Sequence, residues 1–209
     1  ARFTAIQGIT GLYPNAHYAL SKIQWLLAHD AAIQYHAAHN NVLFVPLAAF
    51  LAHSLCASPN ISVDGVIASR TLMMDFTQCN WCDELTSLAG ISPMALPNIV
   101  NSDHDWGHIQ LGNHSIPLTL CGGDQSFVAF SAGLLHCRDY AFVNVGSGAF
   151  IQAICDELPK QTRLLKSPLF IGRNLRYHVL EGTVNAAASA LDELFKEIGL
   201  QSHADIQHA

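Results

Sequence analysis

Gly122-Gly123-Asp124-Gln125 carries the first candidate chemistry in this 209-residue chain. The aspartate follows two glycines at the end of an apolar run and opens a helix-like segment. In α/β folds, ligands gather at the carboxyl ends of strands. The positive end of a helix dipole favours an ionised carboxylate there. A carboxylate so placed can accept a proton from a substrate hydroxyl. Asp at such a point is also a common N-cap, so the local pattern alone leaves both roles open. Gly146-Ser147-Gly148 is the second candidate. Glycines let backbone N–H groups approach a phosphate, and the serine hydroxyl adds a donor. A hairpin turn favours glycines for its own reasons. This turn lacks the lysine of a P-loop and joins two strand-like runs rather than a strand and a helix.

Twelve histidines and six cysteines raise the question of a metal. Cys79-Asn80-Trp81-Cys82 is a CxxC without a second ligand pair at matching spacing. His104-Asp105-Trp106-Gly107-His108 has two ligand-capable ends in a loop-like segment and specifies no third ligand. No metal site built from protein ligands is expected. Most cysteines sit in apolar runs, which suits reduced thiols in a cytoplasmic protein.

The elements that must position these residues follow from periodicity. Residues 16–30 carry apolar positions at helical spacing behind Asn15 as an N-cap. Residues 42–45 read as a short strand ending at Pro46, and residues 47–55 as a helix. Residues 81–89 read as a helix closed by Gly90 at C′. Ser92-Pro93 starts a turn of helix that stops before Pro97. Residues 116–121 form an apolar strand, Gly122 to Asp124 a turn, and residues 125–135 a small-residue helix. Residues 141–145 and 149–154 flank the Gly146–Gly148 turn as a hairpin. Val184, Ala187, Ala188, Leu191, Leu194, Phe195 and Ile198 make a helical stripe closed by Gly199. Strands alternating with helices predict an α/β class. Arg138-Asp139 reads as a domain junction, giving residues 1–137 and 138–209.

Composition narrows the function classes. Half the residues are hydrophobic and 12% are charged, against about 25% in an ordinary soluble domain. Intrinsic disorder is excluded, and the charge poverty suggests surface covered by further protein. The net charge of −6 and the absence of a Lys/Arg run argue against nucleic acid and against an anionic membrane surface. The longest charge-free apolar stretch, residues 42–56, is too short to span a bilayer and holds Pro46 and His53. The opening Ala1-Arg2-Phe3 has no leader pattern and no initiator Met, so a processed chain or a fragment is expected.

Taken together and in order, several segments resemble the FGGY carbohydrate kinases. Tyr18-Ala-Leu-Ser-Lys-Ile-Gln-Trp-Leu-Leu27 resembles the family's helix ending in K-x-x-W-L. Asp64-Gly-Val-Ile-Ala-Ser-Arg-Thr-Leu72 is similar to its T-D-x-x-N-A-S-R-T-x segment. Trp81-Cys-Asp-Glu-Leu85 and Gly90-Ile-Ser-Pro-Met-Ala-Leu-Pro97 resemble its W-x-x-x-L and G-I-x-x-x-x-L-P pieces. Ile116-Pro117 leading to Gly123-Asp124-Gln125 matches its strand and G-D-Q. Leu180-Glu181-Gly182 and the final helix resemble its L-E-G segment, taken to begin a nucleotide-side helix.

The resemblance implies an actin/hexokinase-like (ribonuclease H-like) fold, with two α/β domains around a cleft. It implies a sugar or polyol in the cleft and ATP with Mg2+ at its mouth. Asp124 matches the family's catalytic base, and Gly146, Ser147 and Gly148 match a G-T-G turn that contacts nucleotide phosphates. Gln125 and Phe150 match positions near the substrate. Aligned on Lys22, His17 stands where glycerol kinases have a substrate-contacting Tyr, with Tyr18 beside it. That departure leaves a ketose open. Ile67 replaces the Asn of N-A-S. Ala188 stands where a nucleotide-contacting Gly is usual, and Asp192 where glycerol kinases have Gln. The family's D-x-G-T phosphate turn is absent, and such kinases are at least roughly twice this length, beyond one ordinary domain. Residues 1–137 therefore resemble the latter part of the sugar-binding domain, and residues 138–209 the start of the nucleotide-binding domain.

The implied activity is phosphotransfer to an alcohol group of a small sugar or polyol, in the cytoplasm, without nucleic acid or membrane. A homo-oligomer is compatible with the sequence. The competing expectation is a non-catalytic, kinase-derived module that binds a sugar or a protein.

Overall fold

A computed structural model describes residues 2–131, 133, 139–160 and 162–199. The amino-terminal third is helical: α1 (Arg2–Thr10), α2 (Ala19–His29), α3 (Ala31–Ala38) and α4 (Leu47–Cys56). Leu20 and Ile23, three apart on one face of α2, are its buried positions. Asp30 separates α2 from α3 by accepting from the Ala32 and Ile33 N–H groups at 2.9 and 3.0 Å. The sequence placed the start of α2 three residues early. Asn15 instead builds a turn, its side chain accepting from His17 N and its carbonyl from Tyr18 N. The strand expected at residues 42–45 does not form. Its neighbour is a 3₁₀ turn (Pro93–Ala95) rather than a strand edge, and Phe44 N donates to Ala95 O there.

β1 (Ser62–Asp64) runs directly into α5 (Gly65–Ser69). β2 (Met74–Asp75) and β3 (Asn80–Trp81) pair antiparallel ahead of α6 (Asp83–Ala89), which Gly90 ends at φ 85°. Because Trp81 pairs with Met74 and donates its indole N–H to Pro97 O at 2.8 Å, α6 starts two residues later than periodicity suggested. β4 (Asn98–Val100) pairs parallel with β1. β5 (His108–Leu111) and β6 (His114–Pro117) form a hairpin. The strand expected over 116–121 is thus shifted toward the amino end. Leu118 N donates to Gly107 O and Cys121 N to Ser102 O, which draws residues 118–121 away as a connector.

α7 (Asp124–Ser131) follows that connector. The far end of the helix expected to residue 135, and Cys137 and Arg138 at the expected junction, lie outside the described residues. β7 (Phe142–Val145) and β8 (Ala149–Cys155) form the expected hairpin. β9 (Leu165–Ile171) and β10 (Arg176–Val184) join them in an antiparallel sheet of order β7-β8-β10-β9. Neither β9 nor β10 was legible as a strand. Pro168 interrupts the first, and a register shift at Tyr177/His178 interrupts the pairing of the second. Val184 ends β10 opposite Ala149 instead of starting the last helix, and Leu180-Glu181-Gly182 lies within the strand rather than opening a helix. α8 (Ala187–Ile198) carries the remaining apolar stripe and stops at Gly199, φ 77°.

Two buried clusters occupy the first part of the chain, around Leu12, Met73 and Leu85 and around Val63, Ala68 and Met74. A third joins α7 to the sheet through Ala129, Ile154, Leu169 and Val179. Backbone pairing fastens the sheet to what precedes it: Ser102 N donates to Ile171 O at 2.7 Å and Lys166 N to Gly11 O at 2.8 Å. Gly11 sits at φ 74°, and a Cβ there would lie 2.1 Å from Lys166 O, so only glycine fits.

Candidate functional site

Asp124 is the first residue of α7. Gly123 precedes it, and its carbonyl accepts from Phe127 N at 3.2 Å. Gly123 is thus the capping residue. The Asp124 carboxylate accepts only from its neighbour Gln125 N, at 2.7 Å, among the hydrogen bonds described. It does not reach the second or third N–H of the helix, as an N-cap aspartate would. The carboxylate is exposed and lines a cavity of about 280 Å3 with Val66, Ile67, Arg70, Gln125, Phe150 and Glu181.

Four elements meet at this cavity. The connector into α7 is set by Cys121 N donating to Ser102 O. Ser102 is buried, and its hydroxyl donates to Asp64, while Ile171 N of β9 donates to the Ser102 oxygen at 3.4 Å. Asp64 caps α5 by accepting from Ile67 N at 3.0 Å. One buried serine therefore fixes α5, β9 and the approach to Asp124 against one another. Burial lifts the Asp64 carboxyl to about 6, and the Ser102 hydroxyl and the Ile67 and Val66 N–H groups keep the rise from being larger. Gly65 lets α5 sit close to β9, since a Cβ would lie 2.7 Å from the Ile171 Cδ1. β7 and β8 close the other side. Asn144 Nδ2 donates to Gln125 Oε1 at 3.0 Å, and Phe150 of β8 supplies an apolar wall.

Arg70 and Glu181 were not singled out by the sequence, although both lie inside segments that carry the resemblance. Arg70 Nη1 and Nη2 donate to Glu181 Oε1 and Oε2 at 3.1 and 2.6 Å. Gln152 Nε2 adds a bond to Oε2 at 3.2 Å. Glu181 is 3% exposed, so its charge needs this fork. Burial alone would lower the Arg70 pKa, but the Glu181 carboxylate more than offsets it and the net direction is upward. A lone carboxylate inside the mostly apolar run of residues 179–184 was the available signal, because such a group, once buried, requires a partner.

The expected site residues fall into three groups. Asp124, Gln125 and Phe150 come together in one cavity. His17 lies in a separate, mainly apolar cavity of about 360 Å3, with Lys22, on the other side of Ile67 and Arg70. Tyr18 is hydrogen-bonded to Arg70; burial raises its phenol, with Arg70 opposing and Glu181 reinforcing the shift. Gly146, Ser147 and Gly148 form the solvent-facing tip of the β7–β8 hairpin, closed by Gly146 N donating to Gly148 O at 2.8 Å. Ala188 and Asp192 lie one turn apart on α8, the first half-buried and the second exposed. Among the described residues no group of three or more His, Cys, Asp or Glu could hold a metal ion, and Cys79 and Cys82 are free thiols. No helix among them is long and apolar enough to cross a membrane.

Comparison with known proteins gives a consistent result. The model of the FGGY family of carbohydrate kinases, N-terminal domain, matches residues 1–131. A glycerol kinase of Thermococcus kodakarensis is 29% identical, the match covering 96% of this chain and 40% of that protein. A glycerol kinase of Dechloromonas aromatica is 30% identical over 94% of this chain and 40% of its own length. Among solved structures, Plasmodium falciparum glycerol kinase with ADP superposes with a TM-score of 0.85 at 23% identity, covering 97% of this chain and 41% of that one. Xylulose kinase from Rhodospirillum rubrum gives 0.78 at 18% identity, over 94% and 40%. The chain thus spans about 40% of the length of the relatives it matches.

Proposed function

Since the chain belongs to the FGGY family of carbohydrate kinases, and its α/β architecture is part of their actin/hexokinase-like fold, we propose that it belongs to an ATP-dependent sugar or polyol kinase with Asp124 as catalytic base. The observation that carries this reading is the Asp124 carboxylate. It stands at the head of α7, is not spent on capping that helix, and opens into the cavity shared with Gln125 and Phe150. In this reading residues 1–137 are the latter part of the sugar-binding domain and residues 138–209 the start of the nucleotide-binding domain. The family match over residues 1–131 supports that division.

Phosphoryl transfer depends mainly on positioning and on charge stabilisation. Asp124 orients the acceptor hydroxyl and takes its proton as the oxygen attacks. Gln125, whose carbonyl oxygen accepts from Asn144, offers its amide hydrogens to the acceptor's other hydroxyls. Phe150 packs on the carbon face of the sugar and keeps water from the base. ATP supplies the phosphoryl group, with Mg2+ screening its charge. The hairpin tip has the chemistry for phosphates, a Ser147 hydroxyl between two residues without Cβ, and it is the segment assigned to hold them. Ala188 and Asp192 on α8 are assigned to the nucleotide side. Tyr18, hydrogen-bonded to Arg70, is assigned to bracing the acceptor wall, and His17, which lines the separate cavity behind it, to the same side of the site. A cytoplasmic location is part of the same reading.

The test is ADP release by the full-length polypeptide with Mg-ATP and a panel of glycerol, pentuloses, methylpentuloses and aldonates. Acceptor-dependent release is expected. Asp124→Asn should lower it by about 10²–10⁴-fold, the usual worth of a positioned base, with nucleotide affinity little changed. Full turnover in that variant would remove Asp124 from the mechanism. Acceptor binding without any release would leave a non-catalytic sugar-binding module.

A further inference from the structure

Asn144 Nδ2 on β7 donates to Gln125 Oε1 on α7 at 3.0 Å, across 19 positions of chain and half-buried. Among the hydrogen bonds of the described residues, this is the one that links the β7–β8 hairpin to α7. Its place in the register gives it a second connection. Asn144 pairs across the hairpin with Phe150, which walls the Asp124 cavity. Two residues further on, Gly146 opens the tip assigned to nucleotide phosphates and closes it by donating its N–H to Gly148 O. Two residues of strand span about 7 Å. The tip, the Phe150 wall and the Gln125 amide are thus joined by one short stretch of paired backbone. The base of the hairpin is anchored separately, through Phe142 packed on the cluster that contains Ala129 of α7. Val143 and Val145, on either side of Asn144, are exposed. Beyond Phe142, β7 therefore meets α7 through Asn144, and a displacement of the tip reaches Gln125 by that bond.

We propose that Asn144 is a positioning residue that couples the two ligands: phosphates held at the tip fix the hairpin, and the fixed hairpin holds the Gln125 amide and the Phe150 wall as the acceptor requires. This rests on reading the Asp124 cavity as the acceptor site and the tip as the phosphate site. Linkage makes the effect reciprocal, so the acceptor tightens nucleotide binding by the same factor that the nucleotide tightens acceptor binding.

The experiment is calorimetric titration of the full-length polypeptide with glycerol and with a pentulose, each without and with saturating Mg-ADP, which permits no turnover. The ratio of the two Kd values measures the coupling. In the wild type it should exceed one for the acceptor that binds, and titrating Mg-ADP without and with that acceptor should return the same ratio. Asn144→Ala removes the donor, and Asn144→Leu removes it while keeping the branched shape. Each should lower the ratio by about two- to tenfold, the scale of one neutral hydrogen bond. In a Gln125→Ala background, Asn144→Ala should lower it no further, because the shared bond is already gone. A merely structural role for Asn144 would weaken the acceptor by the same factor with and without Mg-ADP and leave the ratio at its wild-type value. A wild-type ratio of one, a ratio unchanged in both Asn144 variants, or a further loss in the Gln125→Ala background overturns the proposal. These titrations read no chemistry, so that failure is separate from failure of Asp124 as base, which the Asp124→Asn assay reports. No binding of either acceptor, or none of Mg-ADP, overturns the reading of the site and the proposal with it.

Discussion

Asp64→Asn is expected to stabilise this protein at neutral pH, although it removes a fully buried group hydrogen-bonded to Ser102 and to the Ile67 and Val66 N–H groups. Asp64 is 0% exposed, and burial raises its carboxyl from 3.8 to about 6. The folded state therefore keeps this proton to higher pH than the unfolded chain does. Below about pH 4 the group costs the fold nothing by ionisation. Between about 4 and 6 the folded state binds more protons than the unfolded one, so stability falls as pH rises, and above that window the loss is complete. Two units of pKa correspond to about 3 kcal/mol. Asparagine has no charge to desolvate. Its oxygen can keep the cap on Ile67 N, and its amide can donate to Ser102. The Ser102 hydroxyl then loses its acceptor, at about 1 kcal/mol. The variant should match the native protein within about 1 kcal/mol at pH 4 and exceed it by about 2 kcal/mol at pH 7. Urea midpoints at pH 4, 5, 6 and 7, read by tryptophan fluorescence, measure this. Trp106 is a local reporter because its indole donates to Ser102 O. The difference curve cancels groups common to both proteins. Among them is Asp75, where burial pushes upward but Thr77 and the Gln78 and Thr77 N–H groups more than offset it. A flat difference between pH 4 and 7, or a variant less stable at pH 7, would refute the reasoning.

Gly11→Ala should destabilise by about 2 kcal/mol or more, combining the left-handed backbone cost with displacement of Lys166 from its backbone pair; denaturant unfolding reads it, and a loss within 0.5 kcal/mol would contradict the 2.1 Å approach. Gly65→Ala meets side-chain tips, Ile171 Cδ1 at 2.7 Å and Cys79 Sγ at 2.9 Å, which can give way. Its cost should be smaller, about 1–3 kcal/mol, in the same assay. Trp81→Phe removes the donor to Pro97 O and should cost about 1 kcal/mol. Asn144→Ala frees the Gln125 amide, and steady-state kinetics on the full-length polypeptide should show a higher acceptor KM with kcat less changed.

The α/β class could be read from the residues because it rests on local patterning, whereas the family and the grouping of Asp124, Gln125 and Phe150 came from the resemblance of motifs in order along the chain. The helix of α4, the hairpin around Gly146–Gly148 and the stop at Gly199 are local choices: apolar spacing, turn residues, a residue that tolerates positive φ. β9 and β10 were not legible, because their strand character comes from pairing across the sheet. A proline in one and a register shift in the other hide the alternation that would have marked them. The absent strand at residues 42–45 is the converse case, an apolar run with no edge to pair with. His17 and Tyr18 adjoin in sequence, yet His17 faces one cavity while Tyr18 is hydrogen-bonded to Arg70. The Arg70–Glu181 pair, separated by 111 positions, was visible only once packing had buried Glu181 and brought the half-buried Arg70 against it. The sequence sets which groups exist and which local turns they favour. Burial sets which charges must find one another, and burial is a property of the assembled fold.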